Sequence, residues 1–207
     1  MTRSRHGTST RCPRCALLPA LCICAELTAR PISTRLVVLL LGAEVHKPTN
    51  TGRLAALLLE GTELRVQAPR VPLRLDDLVD DPARRPLLLC ETGTRVLDRA
   101  LVAEDPRPPT LIVLDGTWSQ ARRFSTREPA LRRVERVRVE GGGPTRYRLR
   151  NARAPGRFST LEAIARALEP LEGPEVRAHL EAAFERFVER SLEGRTGPRP
   201  AGSCGPL

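Results

Sequence analysis

Four aliphatic residues, Leu111 to Leu114, run directly into Asp115, Gly116, Thr117 and the only tryptophan of the chain, Trp118. An apolar run with no polar alternation reads as a strand buried on both faces, the habit of parallel sheets. Trp118 to about Ser125 reads as a helix. Asp115 to Thr117 then lie at the carboxyl end of a strand, just ahead of a helix, where open α/β sheets bind their ligands. Residue type alone favours a plainer arrangement, with Asp115 capping the helix and Trp118 filling core.

Other segments repeat the pattern. Arg35 to Leu41 is nearly all aliphatic and reads as a central strand ended by Gly42. Glu63 to Gln67 and Leu87 to Cys90 are shorter strand candidates, and Val134 to Val139 reads as a half-exposed one. Leu54 to Glu60 has helical character. Pro174 to Leu192 reads as an amphipathic helix with Val176, Leu180, Phe184, Phe187 and Leu192 on one face. Ala68 to Pro86, rich in Pro and Asp, reads as a surface connection. These elements predict an α/β fold in three parts: a cysteine knuckle over 1–30, the α/β domain over 31–193, and a disordered Gly/Pro/Arg tail over 194–207.

The knuckle rests on Cys12, Cys15, Cys22 and Cys24, spaced C-x2-C-x6-C-x-C. Four thiolates can close a tetrahedral shell around Zn²⁺ and leave no position for water, which makes the site structural. Two disulfides are the competing reading, but they need an oxidising compartment. Met1 to Thr10 has no apolar core of a signal peptide, so a cytoplasmic chain is expected. Redox thiols are a third reading. No apolar run reaches 18 residues, so no membrane span is expected. Cys90 is expected to be a buried free thiol, and Cys204 to have no role.

The net charge of +10 points to a polyanionic partner. Its distribution says more than its size. Between Arg122 and Arg157 twelve arginines face three glutamates, a local net charge of +9. That stripe begins directly after the Asp115–Trp118 turn, and it is what binding a phosphate backbone needs.

Three further blocks stand out. In Thr49-Asn50-Thr51-Gly52-Arg53, Asn50 or Thr51 is a natural N-cap, and the helix start also suits an anion. Gly93, after the Leu87 to Cys90 run, permits close backbone approach. Tyr147-Arg148-Leu149-Arg150 precedes Phe158-Ser159-Thr160-Leu161-Glu162-Ala163, where Ser159 and Glu162 form a capping box.

Asp115-Gly-Thr-Trp118 followed by Ser-Gln-Ala resembles the signature of the DTW-domain family. These proteins are similar to tRNA-uridine aminocarboxypropyltransferases and are relatives of the knotted SPOUT RNA-modifying enzymes. The likeness extends in order over the cysteine cluster, Glu44 with Asn50, Thr51 and Arg53, the Asp115 turn, and Tyr147-x-x-Arg150 with Ser159-Thr160-x-Glu162-Ala163. Two departures are visible. Leu41-Gly42 stands where many members have His-Pro, and Cys90-Glu91-Thr92-Gly93 stands where members have a Pro-Ser element.

The resemblance implies a SPOUT-like knot, S-adenosylmethionine as co-substrate, tRNA as partner and pairing of two copies through the knot. It implies transfer of the 3-amino-3-carboxypropyl group to N3 of a uridine, with Asp115 as general base or orienter. Asn50, Thr51, Gly93, Gly116, Thr117, Trp118, Tyr147, Ser159 and Thr160 are then expected to hold S-adenosylmethionine. Arg53, Arg122, Arg123, Arg148 and Arg150 are expected to hold RNA or the methionine carboxylate. Trp118 and Tyr147 are candidates for stacking on adenine or on an extruded base. Two alternatives remain: a SPOUT-type RNA methyltransferase, and a non-catalytic RNA-binding module of zinc and arginines.

Overall fold

The computed structural model describes residues 11–68, 71, 73–140, 145, 147–149 and 158–196. Its centre is a six-stranded, all-parallel sheet in the order β2-β1-β5-β3-β6-β4. The strands are Arg35–Leu41 (β1), Glu63–Gln67 (β2), Arg85–Leu89 (β3), Arg95–Val96 (β4), Pro109–Asp115 (β5) and Glu135–Arg138 (β6). The two longest, β1 and β5, lie side by side in the interior with Leu40 opposite Asp115. Their apolar runs carry no polar face because both faces are covered.

Alternate residues of β1 feed the two cores. Leu36, Val38 and Leu40 face one, and Val37 and Leu39 face the other. The first and larger core is closed by α1 (Gly52–Leu58), α3 (Arg99–Ala103), α6 (Thr160–Glu172) and α7 (Pro174–Thr196). The second is closed by α2 (Asp76–Val79), α4 (Trp118–Arg127) and α5 (Pro129–Arg132). The domain is thus a three-layer α/β/α stack.

Three expectations need correction. Ala68 to Pro86 is not only a surface connection: α2 lies within it, and Leu75 and Leu78 are core residues. One turn of helix is too short to show a period, so its apolar residues carry no readable pattern. Gly194 to Thr196 belong to α7, so the helix runs beyond the expected boundary at 193, and the rest of the tail lies outside the described residues. Cys90 is half-buried rather than buried, and its burial raises the thiol pKa.

The cysteine segment is packed into the domain. Cys15, Leu17 and Ile23 are buried in the same core as Phe184 and Phe187 of α7. Near the end of α7, Gly194 passes so close to the segment that a Cβ there would meet Leu21 at 3.1 Å. The segment is therefore fastened to the domain through its apolar residues.

Candidate functional site: three blocks around Asp115

Asp115 ends β5 and is only 5% exposed. Its Oδ2 accepts a short hydrogen bond from Asn50 Nδ2, and its Oδ1 accepts one of 2.6 Å from Thr160 Oγ1. One carboxylate thus joins segments 65 and 45 residues away. They are the loop between β1 and α1 and the first turn of α6. A buried carboxylate is tolerable only when its oxygens are satisfied, and charge-assisted bonds of this kind are the strong ones.

The neighbouring residues tighten this cluster. Asn50, 1% exposed, accepts from the Arg53 amide at 3.1 Å while its amide group donates to Asp115. It spans the first turn of α1, which places the capping contact on Asn50 rather than on Thr51, the N-cap residue by backbone. Thr51 is also buried and accepts from the Leu161 amide of α6 at 3.4 Å. Gly52 has a role that sequence reasoning missed. A Cβ there would overlap Asp115 Oδ2 and lie 2.9 Å from its Cγ, so only glycine lets the helix start this close to the carboxylate. The signal was available: glycine in a first helical turn is costly and usually marks a close approach.

Asp115 does not cap α4. Thr117 does, in a capping box whose second member is Gln120: the Thr117 amide donates to Gln120 Oε1 at 2.8 Å. Gly116 fits against Leu41, where a Cβ would meet the Leu41 side chain at 3.1 Å. Gly42 approaches the Gln120 amide group in the same way. The Leu41-Gly42 departure therefore sits against the Asp115 turn itself. Ser159 caps α6 with Glu162 in the second capping box, and Glu162 also accepts from Thr145 Oγ1 at 2.8 Å.

The two aromatic candidates separate. Trp118 is 41% exposed on α4 and does not fill core. Tyr147 is buried, stacks on Phe184 with centroids 5.8 Å apart, and donates its hydroxyl to the Thr49 carbonyl at 2.6 Å. Its ring packs on the core, and its hydroxyl holds the loop that carries Asn50. At Gly93 the expected close backbone approach is present: a Cβ there would press on the Val137–Arg138 main chain, 2.6 Å from the Arg138 nitrogen.

The arginine stripe divides as well. Arg136 donates to the Ser125 carbonyl at 2.8 Å, and Arg133 pairs with Asp80 at 3.1 Å. Arg122, Arg123, Arg127, Arg138 and Arg148 are exposed, whereas Arg146, Arg150, Arg153 and Arg157 lie outside the described residues. Arg53 donates to the Val45 carbonyl, and its Nε is buried with no hydrogen-bond partner among the described residues. A groove of about 630 Å³ between α2 and α5, lined by Asp76, Glu128 and Arg132 among others, contains none of the blocks that meet at Asp115.

The four cysteines form a second constellation. Their Sγ atoms all lie within 4.8 Å of one another, with Cys12–Cys24 at 3.6 Å and Cys15–Cys22 at 3.7 Å. A tetrahedron with Zn–S bonds of about 2.3 Å has edges of about 3.8 Å, so the thiols already stand at metal-binding separations. Burial pushes the Cys15 and Cys24 thiols up. Burial also acts to raise Cys12, but hydrogen bonds from the Cys15 and Arg14 backbone and from the Cys22 and Cys24 side chains together bring it down to about 7.

Comparison with known proteins agrees with this geometry. The family model described as the DTW domain matches residues 9–192. A Drosophila melanogaster protein named tRNA-uridine aminocarboxypropyltransferase 2 is 32% identical over 193 residues, 88% of this chain and 75% of that protein. Proteins of the same name from Macaca fascicularis and Mus musculus are 29% and 28% identical over 78% of this chain. The chain spans 56% of the length of each of these two. Sequence blocks far apart in the chain meet at one carboxylate, and the family model covers all of them: the chain belongs to the DTW-domain family.

Proposed function

We propose that this protein is an S-adenosylmethionine-dependent tRNA-uridine aminocarboxypropyltransferase. The observation that carries the reading is the meeting of Asn50-Thr51, Asp115-Gly-Thr117 and Ser159-Thr160 at the carboxyl edge of the sheet. That is the ligand-binding edge of open α/β sheets. The start of α4 and the start of α6 converge there, and their positive ends favour an anionic group such as the methionine carboxylate. Arg53, whose buried Nε has no hydrogen-bond partner among the described residues, supplies a second feature suited to that carboxylate.

In the proposed reaction N3 of the uridine bonds to the γ-carbon of the aminocarboxypropyl group as the carbon–sulfur bond breaks. The electron pair stays on the sulfur of methylthioadenosine, and the N3 proton passes to solvent. All three carbons on the sulfonium are open to attack, so the orientation of the co-substrate selects the group transferred. Asp115, buried with both oxygens already accepting bonds, is assigned as the orienter that fixes Asn50 and Thr160. N3 lies on the pairing edge of the base, so the uridine must be unpaired when it reacts.

The reading includes a structural Zn²⁺ on Cys12, Cys15, Cys22 and Cys24, supported by sulfurs that all lie within 4.8 Å of one another. Its job is to pin the N-terminal segment to α7, and the ion takes no part in the transfer. The reading also includes a cytoplasmic location, where such thiolates stay reduced, SPOUT-type threading of the chain and pairing of two copies. Among the described residues no helix is long and apolar enough to cross a membrane.

The test is incubation of the purified protein with unmodified small RNA and S-adenosylmethionine, followed by mass spectrometry of the digested nucleosides. An aminocarboxypropyl-uridine matched by methylthioadenosine is the expected result. A methylated nucleoside with adenosylhomocysteine would replace this reading with that of a methyltransferase. Neither product from zinc-loaded protein would leave an RNA-binding module.

A further inference from the structure

Helix α4 has a sharply divided surface. Ala121, Phe124 and Ser125 turn inward, with Phe124 packed on the second core. Its exposed positions are Trp118, Ser119, Arg122, Arg123, Thr126 and Arg127. Residues four apart stack along a helix, so these fall into two adjacent rows, Trp118/Arg122/Thr126 and Ser119/Arg123/Arg127. The outer face holds a tryptophan, three arginines and two hydroxyls, and no acid. No ion pair to Arg122, Arg123 or Arg127 is present among the described residues, unlike Arg133, which is paired with Asp80. The face begins at the Asp115 turn and runs away from it for about 15 Å, the length of ten helical residues.

We propose that the outer face of α4 is a docking track for an unpaired RNA strand. Trp118 stacks on a base beside the reacting uridine, and Arg122, Arg123 and Arg127 follow the phosphates that lead away from it. This rests on the transferase reading of the Asp115 site. The chemistry favours a single strand over a duplex. Trp118 stands 41% exposed at the start of the helix next to the site, and an aromatic side chain there suits a base with no partner. The bases of a duplex are already stacked on each other and expose only their edges. The charge complementarity favours a polyanion over S-adenosylmethionine, whose net charge is positive at its sulfonium end. This assigns Trp118, which the family resemblance left between the co-substrate and an extruded base, to an RNA base beside the reacting one.

The test uses the full zinc-loaded protein. Trp118 is the only tryptophan, so its fluorescence reports on this position alone. A short oligouridylate should quench it, a blunt hairpin duplex should quench it far less, and S-adenosylmethionine alone should leave it unchanged. Trp118→Ala should weaken oligouridylate binding about tenfold or more, with Trp118→Phe recovering most of the affinity. Replacing Arg122, Arg123 and Arg127 by Gln together should flatten the slope of log affinity against log salt by about two, at ~0.7 for each phosphate no longer neutralised. RNA affinity unchanged in both Trp118→Ala and the triple variant would overturn the proposal even if the wild-type enzyme releases methylthioadenosine. Equal binding of duplex and single strand, or quenching by S-adenosylmethionine and not by RNA, would overturn it too. Quenching and a flattened slope without methylthioadenosine release would uphold the track and remove the transferase reading instead.

Discussion

Asp115 and Trp118 are three residues apart and have opposite fates. Asp115 is 5% exposed and holds Asn50 and Thr160 together, while Trp118 is 41% exposed on the outside of α4. The turn between them changes sides over Gly116 and the N-cap Thr117. One motif therefore has an inner end that builds the site and an outer end that faces outward from the domain. A motif match alone makes no such distinction, because both ends are equally part of the signature.

The contrast is tested most severely at Gly52. Gly52→Ala drives a Cβ into the Asp115 carboxylate, and such overpacking costs about 1–3 kcal/mol. Chemical denaturation should show a loss at the upper end of that range, with transfer activity lost as well. Unchanged stability would mean that the inner end is looser than its contacts indicate. Asp115→Asn is next. It keeps one acceptor for the Asn50 amide but turns the other oxygen into a donor, which the Thr160 hydroxyl can meet only by accepting. The charge-assisted bonds are lost, and hydrogen bonds to charged groups are worth about 1.5–3 kcal/mol. Turnover should fall sharply while RNA affinity holds, and single-turnover assays beside RNA binding separate the two.

Thr117→Ala tests the hinge between the ends. It removes the hydroxyl of the capping box of α4 and should cost about 1 kcal/mol, read as a shift in the denaturation midpoint with its slope unchanged. Trp118→Ala gives the smallest effect on folding, within about 0.5 kcal/mol of wild type, as expected for an exposed position. Its consequence should appear in RNA binding. A large loss of stability there would return Trp118 to the core and collapse the contrast between the two ends.

The cysteine segment shows the same two-sided logic on another scale. Spacing was enough to single out Cys12, Cys15, Cys22 and Cys24 as a candidate ligand set, and their sulfurs all lie within 4.8 Å of one another. The same spacing could not show that Cys15, Leu17 and Ile23 insert into the core under α7. Chelation of the metal should therefore lower the melting temperature of the whole domain in one transition, rather than release a separate small one.

Much of the fold was legible. Long apolar runs made β1, β5 and the heart of β3 visible, because strands buried on both faces need no polar positions. The capping box at Ser159 and Glu162 was readable in four letters. Elements of one turn or two residues, such as α2 and β4, were not, because nothing repeats within them. For Tyr147 and Gly93 the family resemblance pointed to a ligand, whereas residue type alone agreed with what the fold shows, packing against Phe184 and against the Val137–Arg138 main chain. An aromatic or a glycine looks the same in a sequence whichever neighbour it serves.

Residue order alone carries the parallel α/β class, the metal-type cysteine spacing, the charge concentrated after Trp118, and the family to which the motif blocks belong. It took the folded chain to bring Asn50, Gly52, Asp115 and Thr160 to one point, and to turn Trp118 outward with Arg122, Arg123 and Arg127. Local pattern is fixed by side-chain period and backbone preference, which act over a few residues. Convergence of positions 45 and 65 residues apart depends on strand order and crossover, which no local pattern encodes.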